Sequence, residues 1–347
     1  MNSTSVRILQ ENESVEVPET LAKSVGFVGL DAWLNFVHRV YKLSVYRIVS
    51  QTNTEIEAWL ALAHVKHSIF GDYLTTSPFG SYGGFAYLSK ASRDALLEKA
   101  RVLANDLGVD YANLRFEAGE EIPPSGWIQH PAYATYRVNL LPDPAQLLST
   151  YSSDHRNHIR KSLKKGFSIK FGRLDLLNES YEALARCMHE LGSPYHNKSY
   201  LRAMAESLGN SLEFAVMYDA RGKLVGAGVF VFQGDIVTNL HANILRQYRT
   251  HYAGEFLYWS VIERYSQKGF KVFDLGRSLI GSGNEAFKMK WKARKQLLAY
   301  WYALMPGHTL PELNQKNPRF QMAIWMWKHL PSSVVRSLGP FLIRGLA

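Results

Sequence analysis

From Phe273 to Trp291 the chain carries side chains that could together transfer an acyl group. Lys288 falls on an expected short helix between Phe287 and Trp291. Those rings would hold its ammonium on a partly dry wall, where a cation stabilises developing negative charge. Gly281 and Gly283 let the backbone turn tightly and approach a ligand. Asp274 and Arg277 close the preceding strand, with Ser278 beside them. The carboxylate can orient an attacking amine or act as a weak base, and the guanidinium can grip a phosphate or carboxylate in a bidentate way. The two can equally pair with one another and fix the loop. Glu285 is a second carboxylate close to Lys288. Against chemistry stands the ordinary solvated lysine, since Lys290, Lys292, Arg294 and Lys295 crowd the same segment.

Other candidates lie upstream. Arg156, Arg160 and Lys164 recur at i, i+4 and i+8, so they share a helix face with Lys161 beside them, while Leu148, Tyr151, Ile159 and Leu163 form the opposite stripe. Such a face is either solvated or phosphate-binding. His155 and His158 are three apart with only Asp154 and no cysteine nearby, so no metal site is expected. Tyr82, Gly83 and Gly84 offer small residues past which a substrate chain could run. Tyr195, His196, Asn239 and His241 could line the same cleft, or simply pack. Cys187, the single cysteine, reads as a small buried hydrophobe.

These residues need elements to position them. The sequence predicts a helix over 144–165 ended by Gly166, a strand over 167–171, helices over 177–191 and 198–208, and strands over 212–218, 224–232 and 236–245. A helix over 253–267 then leads through Gly269 into a strand over 272–275, and a last strand covers 297–305. The expected class is mixed α/β. The first half repeats part of the pattern: helix 90–105, Gly108, strand 111–116. Placing Gly108 on Gly269 puts Asn113 on Asp274, so a tandem pair of like domains is expected, the first degenerate. Proline at 142 and 144 marks the break, which gives domains 1–143 and 144–305 and a basic tail, 306–347.

Several of these segments also carry a family resemblance. Asp274-Leu275-Gly276-Arg277-Ser278 followed by Phe287-Lys288 resembles the closing motif of FemAB-like acyltransferases, most of all those associated with exosortase/PEP-CTERM systems. Ser77 to Gly84, Arg156 to Lys161, and Leu191-Gly192-Ser193-Pro194 stand in the family's order, so the likeness spans about 70–305. It implies twin GNAT-like domains. It also implies a catalytic lysine at Lys288 and a phosphate-binding role for Arg156, Arg160 and Lys161. The implied reaction passes an acyl or aminoacyl group to an amine of a cell-envelope or exopolysaccharide precursor, lipid-linked or free. No cofactor is implied; the donor is a co-substrate, aminoacyl-tRNA or acyl-CoA. Peptidoglycan-branching members carry an acidic residue near the loop where this chain has Gly83, Gly84 and Phe85, which departs from their peptide specificity. A CoA-dependent polysaccharide acyltransferase and a non-catalytic scaffold of the same fold remain as alternatives.

One absence and one asymmetry bear on partners. Acetyl-CoA enzymes of the GNAT type cradle pyrophosphate on a glycine-rich turn before the central helix. Here Arg249 to Gly254 has Tyr252 where the first glycine belongs, so ordinary acetyl-CoA use is not expected. Residues 1–140 hold 12 Lys and Arg against 15 Asp and Glu, whereas 141–347 hold 28 against 15. An anionic partner is therefore expected at the second half. The tail adds Lys316, Arg319, Lys328, Arg336 and Arg344 against Glu312, with two tryptophans. It suits an interfacial helix or one packed on the body. The polar, acidic start resembles no leader peptide, and no apolar run reaches membrane-spanning length. The expectation is a cytoplasmic protein, peripheral at the inner membrane face.

Overall fold

The computed structural model describes residues 4–10, 13, 15–117, 121–130, 132–311 and 318–347. The chain forms two compact units. One comprises Met1–Ala134, Gln296–Pro311 and Arg344–Ala347; the other comprises Thr135–Lys295 and Glu312–Ile343.

The first unit holds β1 (Thr4–Ile8), α1 (Glu19–Val25), α2 (Asp31–Tyr41), β2 (Ser44–Thr52), β3 (Glu55–His67), β4 (Gly71–Thr75), β5 (Phe85–Tyr87), α3 (Lys90–Leu107), β6 (Tyr111–Phe116) and β7 (Ile128–Gln129). A Ser89–Ser92 capping box starts α3, and Gly108 ends it in the left-handed region. The central strand β3 is buried on both faces. Leu60 and Leu62 pack with Leu96 and Leu114, while Trp59 packs with Leu21 and Val25. This division follows the two-residue period of a strand.

The second unit runs β8 (Tyr133–Asn139), α4 (Pro144–Thr150), α5 (Ser153–Leu163), β9 (Ser168–Gly172), α6 (Leu177–Leu191), α7 (Lys198–Leu208), β10 (Leu212–Tyr218), β11 (Leu224–Gln233), β12 (Ile236–Ile244), α8 (Ala253–Gln267), β13 (Val272–Leu279), α9 (Gly283–Met289) and β14 (Arg294–Leu297). Its sheet has the order β14-β8-β13-β12-β11-β10-β9. Glu213 on β10 ties down the end of α8 by accepting from Arg264, Tyr265 and Lys268. The chain then forms β15 (Ala299–Leu304), α10 (Pro318–His329) and α11 (Ser332–Arg344).

Three expectations need correction. The predicted helix over 144–165 is two helices, because Ser152 breaks it and caps α5 by accepting from the His155 N–H. The strand expected to stop at 275 runs on to Leu279. The last strand, placed by the sequence in the second domain, pairs with β6 and β7 and so belongs to the first unit's sheet. The chain therefore returns to its first unit, and the compact units do not end at 143 and 305.

The duplication holds to the residue. In each unit one parallel strand pair makes three pairs: Tyr73↔Tyr111, Leu74↔Ala112 and Thr75↔Asn113 in the first, and Ile236↔Val272, Val237↔Phe273 and Thr238↔Asp274 in the second. Asn113 and Asp274 thus hold equivalent places, as the Gly108–Gly269 alignment requires.

Candidate active site

After Thr238↔Asp274, β12 continues to Ile244 and β13 to Leu279 without pairing further. Two parallel strands that part in mid-sheet leave a slot with unpaired backbone groups on its walls. On the β12 side Phe230 pairs with Asn239 and Val229 with His241, which leaves Leu240 as an extra residue, a β-bulge. A bulge leaves its extra residue unpaired, disrupts the ladder locally and bends the strand.

Lys288 serves the β13 side. Its Nζ donates to the carbonyls of Gly276 at 2.7 Å and Arg277 at 2.9 Å, just past the point of parting. An ammonium has a third N–H, and the slot is where it can be used. Lys288 is 7% exposed, and burial pulls its pKa from 10.5 down to about 8, with Asp274 opposing that fall and Arg277 adding to it. The expected dry wall is real, but its nearest ring is Tyr136 of β8, 5.5 Å from Nζ. Phe287 turns instead to Tyr258 of α8, 5.2 Å away, and Trp291 stacks on the same Tyr258 at 5.8 Å. These two rings anchor α9, which aims Lys288.

Asp274 is fully engaged. Its buried carboxylate accepts from Thr135 Oγ1 at 2.7 Å, the Gly276 N–H at 2.7 Å and Arg137 Nε at 3.2 Å. With three bonds on about four acceptor sites, the carboxylate braces the strand end. Gly276, at φ 75°, makes the bend that brings its own N–H back to Asp274. Arg277 is exposed and Ser278 is buried. Gly281 also has positive φ, and its N–H meets Glu285. Gly283 opens α9 with ordinary helical geometry and open space around it, so no turn demands it. Glu285 accepts from Lys295 and Tyr136, each at 2.7 Å. Lys295, Tyr136 and the Gly281 N–H hold its pKa down at about 2. It latches the loop.

On β12, Asn239 donates from Nδ2 to Tyr258 Oη at 2.9 Å, and its Oδ1 is buried with no partner. His241 meets Tyr195 and His196 at ring distances of 5.7 and 6.0 Å, so three of the four predicted cleft residues gather, while Asn239, paired with Phe230 where His241 pairs with Val229, lies on the α8 face of the sheet instead. Burial lowers the His241 pKa to about 4 and that of His196 well below 6.5. Both imidazoles are neutral, able to accept or donate a hydrogen bond without carrying charge.

The remaining expected contacts are structural. Arg156 donates from Nη1 to the carbonyls of Ser149 and Tyr151, capping the end of α4. Only Nη1 of its five-donor guanidinium is engaged there, and Arg160 and Lys161 stay exposed. In the first unit a Cβ at Gly83 would lie 2.6 Å from the Val25 carbonyl, and Gly84 donates its N–H to that same carbonyl. Val25 and Val28 close in on Gly83, Ala61 and Thr76 on Gly84, and Tyr82 beside them is half-buried.

Two features were not legible upstream. Glu255, on the first turn of α8, joins His155 and His158 in a group whose ligand atoms lie within 4.8 Å of one another. The types suit a zinc-like ion. Yet His155 and Glu255 sit in the first turns of two helices, whose N-terminal dipoles disfavour a cation, and Lys290 is near enough to help burial lower the His155 pKa to about 4. The group reads as packing: His155 sits edge-on to Trp291 at 4.5 Å, and Glu255 complements the α8 dipole. Tyr252, left-handed at φ 59°, stacks on His158 at 4.7 Å with Lys161 over its ring at 5.8 Å. It occupies the turn before α8 as its sequence position implies. Beside that turn, Lys165, Arg221, Lys223 and His251 help line an open cavity of about 450 Å³.

Comparison with known proteins agrees with this geometry. Residues 153–289 match the acetyltransferase (GNAT) domain family. A crystal structure of FemX superposes with TM-score 0.62 at 12% identity, over 87% of this chain and 95% of that one. A tandem GNAT protein from the clavulanic acid biosynthesis pathway gives 0.54 at 14% identity, over 87% and 98%. A conserved protein of unknown function from Bacteroides thetaiotaomicron gives 0.52 at 13%, over 79% and 90%. The chain has a tandem GNAT fold. Among curated proteins no match is found. In this GNAT fold the parted strands, the bulge and Lys288 all fall in the second copy.

Proposed function

We propose that the second unit is an acyltransferase that moves an aminoacyl or acyl group from an ester on an RNA-type donor to an amine of a cell-envelope or exopolysaccharide precursor. The observation that carries this reading is the slot between β12 and β13, with the Leu240 bulge on one wall and Lys288 Nζ fixed on the other. The acceptor nitrogen attacks the ester carbonyl and forms the new C–N bond. The tetrahedral oxyanion meets the Lys288 ammonium and the bulge N–H. The C–O bond then breaks, and the departing ribose hydroxyl takes the proton lost by the amine. Positioning by the slot supplies much of the remaining acceleration. The neutral group of His241, Tyr195 and His196 suits a polar, uncharged stretch of the acceptor, such as a sugar ring.

Donor choice follows from the turn before α8. Tyr252 fills it and Glu255 adds negative charge beside it, both adverse to a pyrophosphate. The basic cavity next to it and the exposed Arg160 and Lys161 suit a longer polyanion. The test is incubation of the pure protein with labelled aminoacyl-tRNA and, separately, acyl-CoAs, with calorimetry for acetyl-CoA. Loss of label from the tRNA, with acetyl-CoA binding no tighter than about millimolar, is expected. Micromolar acetyl-CoA binding with CoA turnover would replace the RNA donor by CoA. Turnover of neither would favour a non-catalytic scaffold.

A further inference from the structure

We propose that Asn239 holds the attacking amine, its Oδ1 accepting an N–H of the acceptor nitrogen at the mouth of the slot; the inference deepens the acyl-transfer reading and rests on it. Asn239 is the first residue of β12 beyond the last strand pair, Thr238↔Asp274. On its side of the sheet the neighbours are apolar. Val237, two residues earlier on the same face, pairs with Phe273, and Asn239 itself pairs with Phe230 of β11. All three are buried to 1% exposure or less. A leucine or isoleucine would complete that layer with no polar atom to satisfy. The chain instead buries an amide there, 8% exposed. Its Nδ2 donates to Tyr258 Oη at 2.9 Å, while its Oδ1 is buried with no partner. Packing gives no reason for an acceptor left in that state, and a ligand does.

Tyr258 ties this amide to Lys288. Its hydroxyl takes Asn239, and its ring takes Phe287 and Trp291, the anchors of α9. On the other wall Lys288 Nζ is fixed on the Gly276 and Arg277 carbonyls, two and three residues past the last pair, while Asn239 is one residue past it. The anchor points are thus offset by roughly 3 to 7 Å along the strands. That division suits the chemistry. A neutral amine has a lone pair for attack and N–H groups by which it can be held. An oxygen that accepts one N–H aims the lone pair at the ester carbonyl. As the C–N bond forms, the nitrogen gains positive charge, so the same hydrogen bond strengthens toward the transition state. A carboxylate would hold the amine too, but it would also neutralise the Lys288 charge that the oxyanion needs. An amide does the first without the second.

The test compares wild type with Asn239→Leu, Asn239→Ala and Tyr258→Phe, using glucosamine as the acceptor and labelled aminoacyl-tRNA or acyl-CoA as the donor. Asn239→Leu keeps the bulk of the side chain and removes both polar ends, and Asn239→Ala repeats the comparison with no risk of overpacking. A cooperative melt near that of wild type shows that the layer holds. In both variants kcat for transfer to glucosamine is expected to fall at least about tenfold and KM for glucosamine to rise, while KM for the donor stays within about twofold. Tyr258→Phe keeps the ring and removes only the hydroxyl, and is expected to lose less. Folded Asn239 variants with wild-type transfer, or with a loss confined to donor KM, overturn the inference and leave the acyl-transfer reading standing. So does a loss in Tyr258→Phe as large as theirs, which would make Asn239 a prop for that ring. A wild type that transfers nothing from either donor refutes the reading itself, and the inference falls with it.

Discussion

Lys288 offers the sharpest test, because its state changes close to neutral pH. Burial holds its pKa at about 8 against 10.5 in the open. If the ammonium stabilises the oxyanion, kcat/KM is flat below that value and falls about tenfold for each pH unit above it. A lysine acting as a base would give the opposite limb, rising with pH and levelling near the same value. Lys288→Met keeps the length of the side chain and removes its donors, and is expected to lower turnover about 100-fold or more. Stability carries a second signature. Because the folded pKa is depressed, the native state binds fewer protons than the unfolded one between about pH 8 and 10.5. The lysine's contribution therefore rises with pH across that window and is constant below it. A shift of this size corresponds to about 3 kcal/mol, at about 1.4 kcal/mol per pH unit. Urea unfolding of wild type and Lys288→Met at about pH 7.5 and 10 should show the gap move in the wild type's favour at the higher pH. Aminoacyl-tRNA deacylation followed over pH reads the first effect. A folded Lys288→Met protein with near-normal turnover, or a profile with no limb near pH 8, would refute the reasoning.

Two further substitutions separate bracing from catalysis. Asp274→Asn removes the charge that pairs with half-buried Arg137 and weakens the bonds from Thr135 and Gly276. It is expected to cost about 3 kcal/mol by denaturant unfolding, while activity per folded molecule falls by much less than in Lys288→Met. Loss of turnover without loss of stability would return Asp274 to the mechanism. His155→Phe replaces an imidazole whose two nitrogens are buried without hydrogen-bond partners, and is expected to leave the melting temperature unchanged or raise it. A wild-type melting temperature that falls on chelation, with a destabilised variant, would instead reveal an ion at His155, His158 and Glu255.

What was legible in the sequence was whatever depends on local order. Helix α8, its Gly269 stop and the strand after it follow from periodicity and punctuation, and so does the repeat that pairs Asn113 with Asp274. Motif neighbours were legible too, since Lys288 and Glu285 lie on one short helix. What stayed hidden was carried by pairing between distant segments. Thr135, Tyr136 and Arg137 look like part of an ordinary strand until β8 lies beside β13. There they take up Asp274, latch Glu285 and wall in Lys288. Glu255 is a hundred residues from His155, so no spacing rule could join them. The bulge at Leu240 has no signature of its own, because its cause is register against β11 rather than composition. The same distinction explains why Asp274 and Arg156 misled. Their types are those of catalytic and phosphate-binding groups, but folding gives the buried carboxylate an N–H, a hydroxyl and a guanidinium to hold, and the arginine two carbonyls, structural bonds that the sequence order does not show. A charged side chain contributes to a site only through the valences that folding leaves unspent. By that measure Lys288, with two N–H groups anchored and a third beyond them, is the side chain of the expected three on which the proposed chemistry rests.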